Sequence, residues 1–207
     1  APVALIGISP MALMVHPSPP EKSVKELVAL AKAKPGTINF GSSGQAATGH
    51  LSGELFKMMA AIDIVHVPYR GAAPAAVAVI SGEIAMLFSG VSANLQHITA
   101  RKLRALGVTS SKRLPVLPDV PAIAETLPGY EVASWYALLT TTGTPPEVIS
   151  RLNQETMKAM ASPEVRNKLI AGGVDPETST PEQLAAWIRA ETEKWGKVVK
   201  AAGVKPQ

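Results

Sequence analysis

The chain contains no cysteine among its 207 residues. This absence excludes disulfides, thiolate nucleophiles and thiolate metal sites, and it is compatible with both the cytoplasm and the periplasm. Aromatic residues make up only 4% of the chain, and its 20 lysines and arginines are scattered. The stacking rings and dense basic cluster of a nucleic-acid-binding surface are therefore missing. No apolar run approaches the roughly 20 residues that a membrane-spanning helix needs.

Metal and acid–base chemistry also find little support in the sequence. The histidines at positions 16, 50, 66 and 97 lack the spacing of metal ligands, and we expect neither a metal nor a cofactor. His50 is expected on a helix surface or in packing. No pair of carboxylates occupies two of the strand-end turns described below, which argues against glycosidase-like catalysis.

What the chain does contain is a repeated unit of strand, small-residue turn and helix. Apolar strands at residues 38–40, 64–67 and 84–88 lead into turns at 41–44, 69–73 and 89–92. Strands that alternate with helices pair in parallel through right-handed crossovers. The three turns are therefore predicted to lie along one sheet edge. Uncapped N–H groups at helix starts there would form a site for a carboxylate or another small anion.

The remaining elements frame this repeat. Two short strands are predicted at residues 3–6 and 11–15, interrupted by Gly7 and Pro10, and Ser23 caps the helix that follows. Within the repeat, the sequence predicts helices over 43–60, 74–82 and 91–99, then a strand over 103–109. A long strand over 130–141 precedes helices that begin near residues 145, 163 and 181. A change in composition near residue 115 separates a repeating α/β half from a more helical half.

The turn Gly41-Ser42-Ser43-Gly44-Gln45 is the sharpest local signal. Two hydroxyls and several N–H groups at a helix start suit a carboxylate, although an ordinary helix cap has the same composition. The hydrolase motif G-x-S-x-G fails because Gln45 replaces its last glycine, and no Gly-Lys-Ser/Thr follows as in a P-loop. In the second turn, Tyr69 is a candidate to close over a ligand, although tyrosines at strand ends commonly pack in the core.

These residues resemble those of a known receptor family. The resemblance is to the Bug-type receptors, the extracytoplasmic solute-binding proteins of tripartite tricarboxylate transporters. It runs in order along essentially the whole chain. It is carried by Ile38-Asn39-Phe40-Gly41-Ser42-Ser43-Gly44, Gly49-His50-Leu51, Glu54-Leu55-Phe56, Val65-His66-Val67-Pro68-Tyr69-Arg70-Gly71 and Leu117-Pro118-Asp119-Val120-Pro121.

The resemblance implies an α/β, periplasmic-binding-protein-like (type II) fold of two lobes. Such a receptor closes on a small organic carboxylate and delivers it to membrane permease subunits, without catalysis and without nucleic acid. Residues 11–114 would form the complete ligand-binding lobe, which is the family's second lobe. Residues 1–10 and 115–207 would form the remnant of the first. We expect a periplasmic location, although no signal peptide is visible in a chain that opens in mid-strand.

The family begins with about 100 residues that have no counterpart here. Without those strands we expect exposed apolar surface, and either self-association or weak ligand binding. The resemblance also implies a set of ligand-binding residues and no catalytic or metal-binding ones. Ser89 replaces an aspartate that is common in the family, which removes an acceptor for a ligand amine. The implied ligand-binding residues are Ser42, Ser43, Gly44, Thr48, Tyr69, Gly71, Ala72, Ala73, Ser89, Gly90 and Val91.

Two alternatives stay open from the sequence. The effector domain of a transcriptional regulator shares the two-lobed topology, although this chain contains no helix-turn-helix segment. A small hydrolase would use Ser43 as its nucleophile, although no pairing of a histidine with a carboxylate is evident.

Overall fold

The structure is a computed structural model that describes residues 1–204. The chain forms two compact units. The helical unit comprises Ala1–Ser9 and Ser134–Lys197, and the sheet unit comprises Pro10–Ala133 with the chain from Val198 onward. Within the described residues, no helix combines the length and apolarity needed to cross a bilayer.

The sheet unit contains the predicted repeat. Its strands run in the order β3-β2-β4-β1-β5, and β2 pairs in parallel with both β3 and β4, as the alternation of strands and helices predicts. A single turn of 3-10 helix covers Ile123–Glu125. The other elements are the second half of β1 (Pro2–Val15), α1 (Val24–Ala33), β2 (Ile38–Ser42), α2 (Thr48–Ala60), β3 (Ile64–Pro68), α3 (Ala72–Ile80), β4 (Met86–Gly90), α4 (Val91–Thr99) and β5 (Arg104–Val108).

Strand β1 departs from the expected arrangement in two ways. It lies antiparallel between β4 and β5, so these two strands of the repeat are not neighbours. It is also one continuous strand, where the sequence predicts two strands broken at Gly7 and Pro10. Proline tolerates an extended backbone. Gly7 serves close packing, because a Cβ there would lie 2.5 Å from a methyl carbon of Val174.

Both faces of the sheet are covered by apolar side chains. Neighbouring residues of a strand point to opposite faces, so Leu87 and Phe88 enter different layers. Leu87 belongs to an alanine- and valine-rich cluster to which α3 contributes four buried residues. Phe88 packs edge-on against Phe40 with ring centroids 6.3 Å apart. These layers hold the strand ends in fixed positions.

The sheet unit continues to Ala133, whereas the resemblance implies a lobe boundary at residue 114. After β5 the chain returns along the sheet, and the N–H of Val108 donates to the Pro121 carbonyl at 2.9 Å. The N–H of Val132 donates to the Thr109 carbonyl at the same distance. Tyr130 is fully buried in this unit. The prolines extend this segment, but its buried side chains attach it to the sheet.

The helical unit is built from the first half of β1 and the elements near the carboxyl terminus. These are β6 (Ala133–Leu139), α5 (Pro146–Ala161), α6 (Pro163–Ala171), β7 (Asp175–Pro176) and most of α7 (Pro181–Ala201). The predicted cap of α7 is confirmed. The N–H of Gln183 donates to the Thr180 hydroxyl at 3.2 Å, and the Gln183 side chain accepts from the N–H of Thr180 at 2.9 Å.

Several large apolar side chains of the helical unit are exposed to between 37% and 54% of their surface. They lie on β6, α5 and α6, and they are Tyr136, Leu138, Leu139, Val148, Leu152, Met157 and Ile170.

Candidate functional site

The carboxyl ends of three parallel strands lie side by side at one edge of the sheet unit, here called the carboxyl edge (residues 42–48, 69–73 and 89–91). Ser42 at the end of β2 is the register partner of Pro68 at the end of β3. Gly41 is the partner of Leu87 in β4. Because β2 lies between the other two strands, the turns that follow them are neighbours. The predicted convergence of the three turns is confirmed.

The first turn, called the serine turn (residues 42–47), is a loop and not the start of a helix. Helix α2 begins at Thr48, whereas the sequence predicts a helix from Ser43. Gly44 has φ 150° and Ala46 has φ 58°. A right-handed helix cannot pass through residues with positive φ, so α2 starts five residues later than expected.

Several amides of the serine turn, expected to be open to a ligand, bond within the protein. The N–H of Gly44 donates to Oγ of Ser42 at 3.2 Å, and the N–H of Ala46 donates to Nδ1 of His50 at 3.0 Å. The N–H of Ala47 donates to the Gly44 carbonyl at 3.3 Å. Ser42 is 1% exposed, and its hydroxyl lies 2.8 Å from the same carbonyl. Ser42 and Gly44 therefore shape the turn.

The outward face of this turn is formed by Ser43. Its hydroxyl has no hydrogen-bond partner among residues 1–204, and the residue is exposed. Thr48, the first residue of α2, is half-buried. Gly49 lets α2 approach closely, because a Cβ there would lie 2.5 Å from the Phe88 carbonyl oxygen and 3.4 Å from Cβ of Ser42.

The second turn is fastened to the first and ends in an open helix start. The N–H of Gly71 donates to the Ser43 carbonyl at 3.1 Å. Gly71 has φ 124°, a conformation that favours glycine. Helix α3 begins directly after it with Ala72 and Ala73, both exposed. The first N–H groups of a helix have no helical carbonyl to bond, so these two are available to an anion.

Tyr69 takes part in this edge with its backbone only. Its N–H donates to the Ser42 carbonyl at 3.0 Å, but its hydroxyl donates to Oε1 of Glu83 at 2.8 Å. Glu83 precedes β4, whereas the carboxyl edge follows it. Burial, reinforced by the bond to Glu83, raises the pKa of Tyr69 to about 12. The side chain lies against the apolar cluster, so it packs there, and its hydroxyl is not directed at the edge.

At the third turn, as at Tyr69, backbone groups and not a side chain face the carboxyl edge. Ser89 is buried, and its hydroxyl accepts a hydrogen bond from Nδ2 of Asn94 at 3.0 Å. The same amide nitrogen donates to the Gly90 carbonyl at 2.9 Å. Helix α4 begins at Val91, which is buried. A Cβ built on Gly90 would meet no atom within 4 Å, so the space in front of this residue is open.

Two histidines lie directly behind the serine turn. His50 on α2 and His66 on β3 stack face to face, with ring centroids 3.7 Å apart and 11° between their planes. Nε2 of His66 lies 2.7 Å from Oγ of Ser42, while His50 accepts the Ala46 N–H. His50 is 3% exposed, and its Nε2 lies 3.6 Å from Oε1 of Glu54. The packing role expected for His50 is correct, but its stacking against His66 was not predicted from the sequence.

The sequence contained a partial signal for this pair. His50 and Glu54 are four residues apart on a predicted helix, so they share a face. His66 is the register partner of Phe40, and Ser42 lies on the same face of β2 two residues later. Combining the helix face with the strand register would have brought these residues together.

The hydrogen bonds also indicate which nitrogens carry protons. The Gly44 carbonyl can only accept, so the single hydroxyl proton of Ser42 goes to it. Nε2 of His66 then donates to Oγ of Ser42. Nδ1 of His50 accepts an amide proton, so the proton of that ring lies on Nε2. A base that activates a serine must accept the hydroxyl proton, whereas with this assignment of protons His66 donates to Ser42.

Of the two stacked imidazoles, the ring of His66 is uncharged near neutral pH. Burial and, to a lesser extent, the proximity of His50 lower the pKa of His66, Glu54 partly opposes both, and the net pKa is about 4. His66 therefore adds no positive charge to the carboxyl edge near neutral pH. Among residues 1–204, no three histidine or acidic side chains approach closely enough to hold a metal ion.

Comparison of sequences gives a match over residues 1–204 to the family described as the tripartite tricarboxylate transporter family receptor. Two similar proteins are the UPF0065 protein in the tcbD-tcbE intergenic region of Pseudomonas sp. strain P51, 38% identical over 200 residues, and BugT of Bordetella pertussis, 34% identical over 205 residues. The matches include 96% and 99% of this chain, but 60% and 63% of those proteins. The chain thus spans less than two thirds of their length.

This chain is also similar to solved structures along nearly its whole length. R. palustris Rpa4515, solved with adipate, has a TM-score of 0.83 and 36% identity, with 100% of this chain and 69% of that chain covered. MatC (Rpa3494) from Rhodopseudomonas palustris, solved with bound malate, has a TM-score of 0.76 and 28% identity, covering 96% and 69%. The α/β, periplasmic-binding-protein-like fold class expected from the sequence is confirmed.

Proposed function

This chain belongs to the tripartite tricarboxylate transporter receptor family, and from that premise we propose that it binds a small dicarboxylate at the carboxyl edge and delivers it to a membrane permease. Adipate and malate, present in two of the related structures, are both dicarboxylates. The family also supports a periplasmic location. Because the chain spans less than two thirds of its relatives, the proposal concerns the contribution of these residues to binding.

One observation carries the proposal: an unpaired hydroxyl and two helix starts lie on adjacent turns of one sheet edge. Ser43 offers the hydroxyl, Ala72 and Ala73 offer N–H groups of α3, and Gly90 leaves open space at the start of α4. Hydrogen bonds to a charged acceptor contribute about 1.5–3 kcal/mol each. Three or four such bonds hold a carboxylate without a cationic side chain. In this proposal Thr48 and Gly71 line the site, and Ser42 and Gly44 keep its shape.

The hydrolase alternative would need Ser43 to be activated by a base. In this structure the histidine nearest to the turn contacts Ser42 instead, and it donates to that hydroxyl. We therefore expect a fluorophosphonate probe to leave Ser43 unlabelled, as measured by mass spectrometry of the intact chain.

The direct test is a titration of the isotope-labelled chain with adipate and with malate, followed by amide chemical shifts. Adipamide is the matched uncharged control, since it has the same carbon skeleton. We expect adipate or malate to move the amide signals of Ser43, Ala72 and Gly90, while adipamide leaves them in place. Equal responses to adipate and adipamide, or none to either dicarboxylate, would refute the proposal.

A pair of serine variants locates the site. Ser43→Ala removes the outward hydroxyl and is expected to weaken dicarboxylate binding about ten- to a hundredfold. Ser81→Ala is the control, because Ser81 caps the far end of α3 and its hydroxyl donates only to the Ala78 carbonyl. Equal affinities for the two variants, measured by calorimetry, would remove Ser43 from the site.

A further inference from the structure

The serine turn is held from behind by two side chains, one at each end. At its start, Nε2 of His66 lies 2.7 Å from Oγ of Ser42. At its end, Nδ1 of His50 accepts the N–H of Ala46 at 3.0 Å. We propose that His50 and His66 act together as positioning residues that keep the serine turn in its ligand-binding shape. This inference rests on the function proposed above for the turn.

The turn needs such support because its backbone is strained. Ala46 has φ 58°, in the left-handed region, which costs a residue with a Cβ roughly 1–2 kcal/mol. A strained conformation of this kind persists only where the surroundings hold it. The hydrogen bond from Ala46 to His50 is the contact that offsets this strain, and it also satisfies an amide that the delayed start of α2 leaves outside the helix.

The two rings are themselves fixed. They stack at 3.7 Å, and the fully buried ring of Phe40 lies 5.0 Å from His66 and 6.3 Å from His50. Glu54 limits rotation of His50 from the other side, with its Oε1 at 3.6 Å. Displacing one imidazole therefore displaces the other, so that the two ends of the serine turn are coupled.

This arrangement makes the turn sensitive to acid. Glu54 on α2 is the titratable group that faces the pair, apart from the two rings themselves, and residues 42–47 contain no titratable side chain. Protonation of His50 at Nδ1 removes the acceptor for Ala46. Protonation of His66 places a positive charge against the stacked ring. Either event loosens the turn.

Two matched variants at each position separate hydrogen bonding from packing. The Oδ1 atom of His50→Asn takes the place of Nδ1 as an acceptor, whereas His50→Leu has none. The Nε2 atom of His66→Gln takes the place of the ring donor, whereas His66→Leu has none. His97→Leu, near the far end of α4, is the control.

We expect each leucine variant to bind adipate about tenfold more weakly, and the Asn, Gln and control variants to stay within about twofold of the original chain. Leucine variants that fold and bind adipate normally would overturn the proposal. Asn and Gln variants that lose as much affinity as the leucine ones would overturn it too, because packing alone would then explain the effect.

Two further readouts keep the proposal testable if a leucine variant fails to fold. Imidazole nitrogen shifts should place the proton of each neutral ring on Nε2, and a neutral His50 ring with its proton on Nδ1 would contradict the geometry. The adipate affinity of the original chain should fall more steeply with acidification than that of the double variant His50→Asn/His66→Gln. Both proteins meet the same partly protonated ligand, so identical profiles would overturn the positioning role.

The two proposals can fail separately. If adipate and malate leave the original chain unaffected while His50→Leu still shifts the Ala46 amide signal, the function fails and the hydrogen-bonded support of the turn stands. If adipate binds and none of the histidine variants alters its affinity, the function stands and the positioning role fails.

Discussion

Replacing Gly49 by alanine tests how closely α2 must approach the carboxyl edge. The new Cβ would lie 2.5 Å from the Phe88 carbonyl oxygen, so the two atoms must separate by about 0.5 Å to reach even a tight 3.0 Å contact. The oxygen belongs to the backbone of β4, near the middle of the sheet, and it cannot rotate away. Helix α2 must therefore withdraw, together with the serine turn that it follows.

The expected cost combines two opposing effects. Overpacking of a well-packed site costs about 1–3 kcal/mol, while replacing a helical glycine by alanine returns up to about 1 kcal/mol. We expect Gly49→Ala to lower the free energy of unfolding by about 1–2 kcal/mol. For a chain of this size that corresponds to a fall in Tm of about 2–8 °C.

Thermal and urea unfolding followed by circular dichroism measure this change. Gly196→Ala is the matched control, because Gly196 also lies in a helix but a Cβ there would meet nothing within 4 Å. It should raise the free energy of unfolding by about 0.5–1 kcal/mol. Should Gly49→Ala stabilise the chain as much as Gly196→Ala does, the close approach of α2 is not a constraint and the argument is refuted.

Three other predictions follow from single contacts. Because the pKa of Tyr69 is raised to about 12, partly by its bond to Glu83, the variant Glu83→Gln should bring the phenol titration back toward 10.0, as read from phenolate absorbance. Because the pKa of His66 is lowered to about 4, the unfolded chain binds a proton between pH 6.5 and 4 that the folded chain does not. Stability in urea should thus fall as the pH drops through that window, and less so in His66→Gln. Thr109→Val leaves the buried N–H of Met11, now 3.0 Å from the threonine hydroxyl, without an acceptor, which should cost about 1–3 kcal/mol of unfolding free energy in urea.

Each of these has a control and a contrary result. Thr109→Ser keeps the hydroxyl and should cost clearly less than Thr109→Val, so equal urea midpoints would contradict the hydrogen-bond argument. A phenol titration that Glu83→Gln leaves unmoved would mean that burial alone acts on Tyr69. Parallel pH–stability curves for the original chain and His66→Gln would assign the acid sensitivity to other groups.

Much of the fold could be predicted because its causes are local. Helix α4 spans Val91–Thr99 as predicted, and the cap of α7 at Thr180 follows from the four consecutive residues 180–183. The convergence of the three turns follows from the alternation of strands and helices. The antiparallel insertion of β1 could not be predicted in this way, since its partners β4 and β5 lie more than 70 residues further along the chain.

For the proposed site, the residue pattern alone predicted an anion-binding edge: three turns of small residues that follow three parallel strands. The folded chain then assigned the individual roles. Ser42 turns inward because His66, 24 residues away, reaches it through the pairing of β2 with β3. Ala46 adopts positive φ because His50 accepts its amide. Neighbouring residues determine hydrophobic periodicity and helix caps, whereas the orientation of a side chain depends on strand register and on partners distant in the chain.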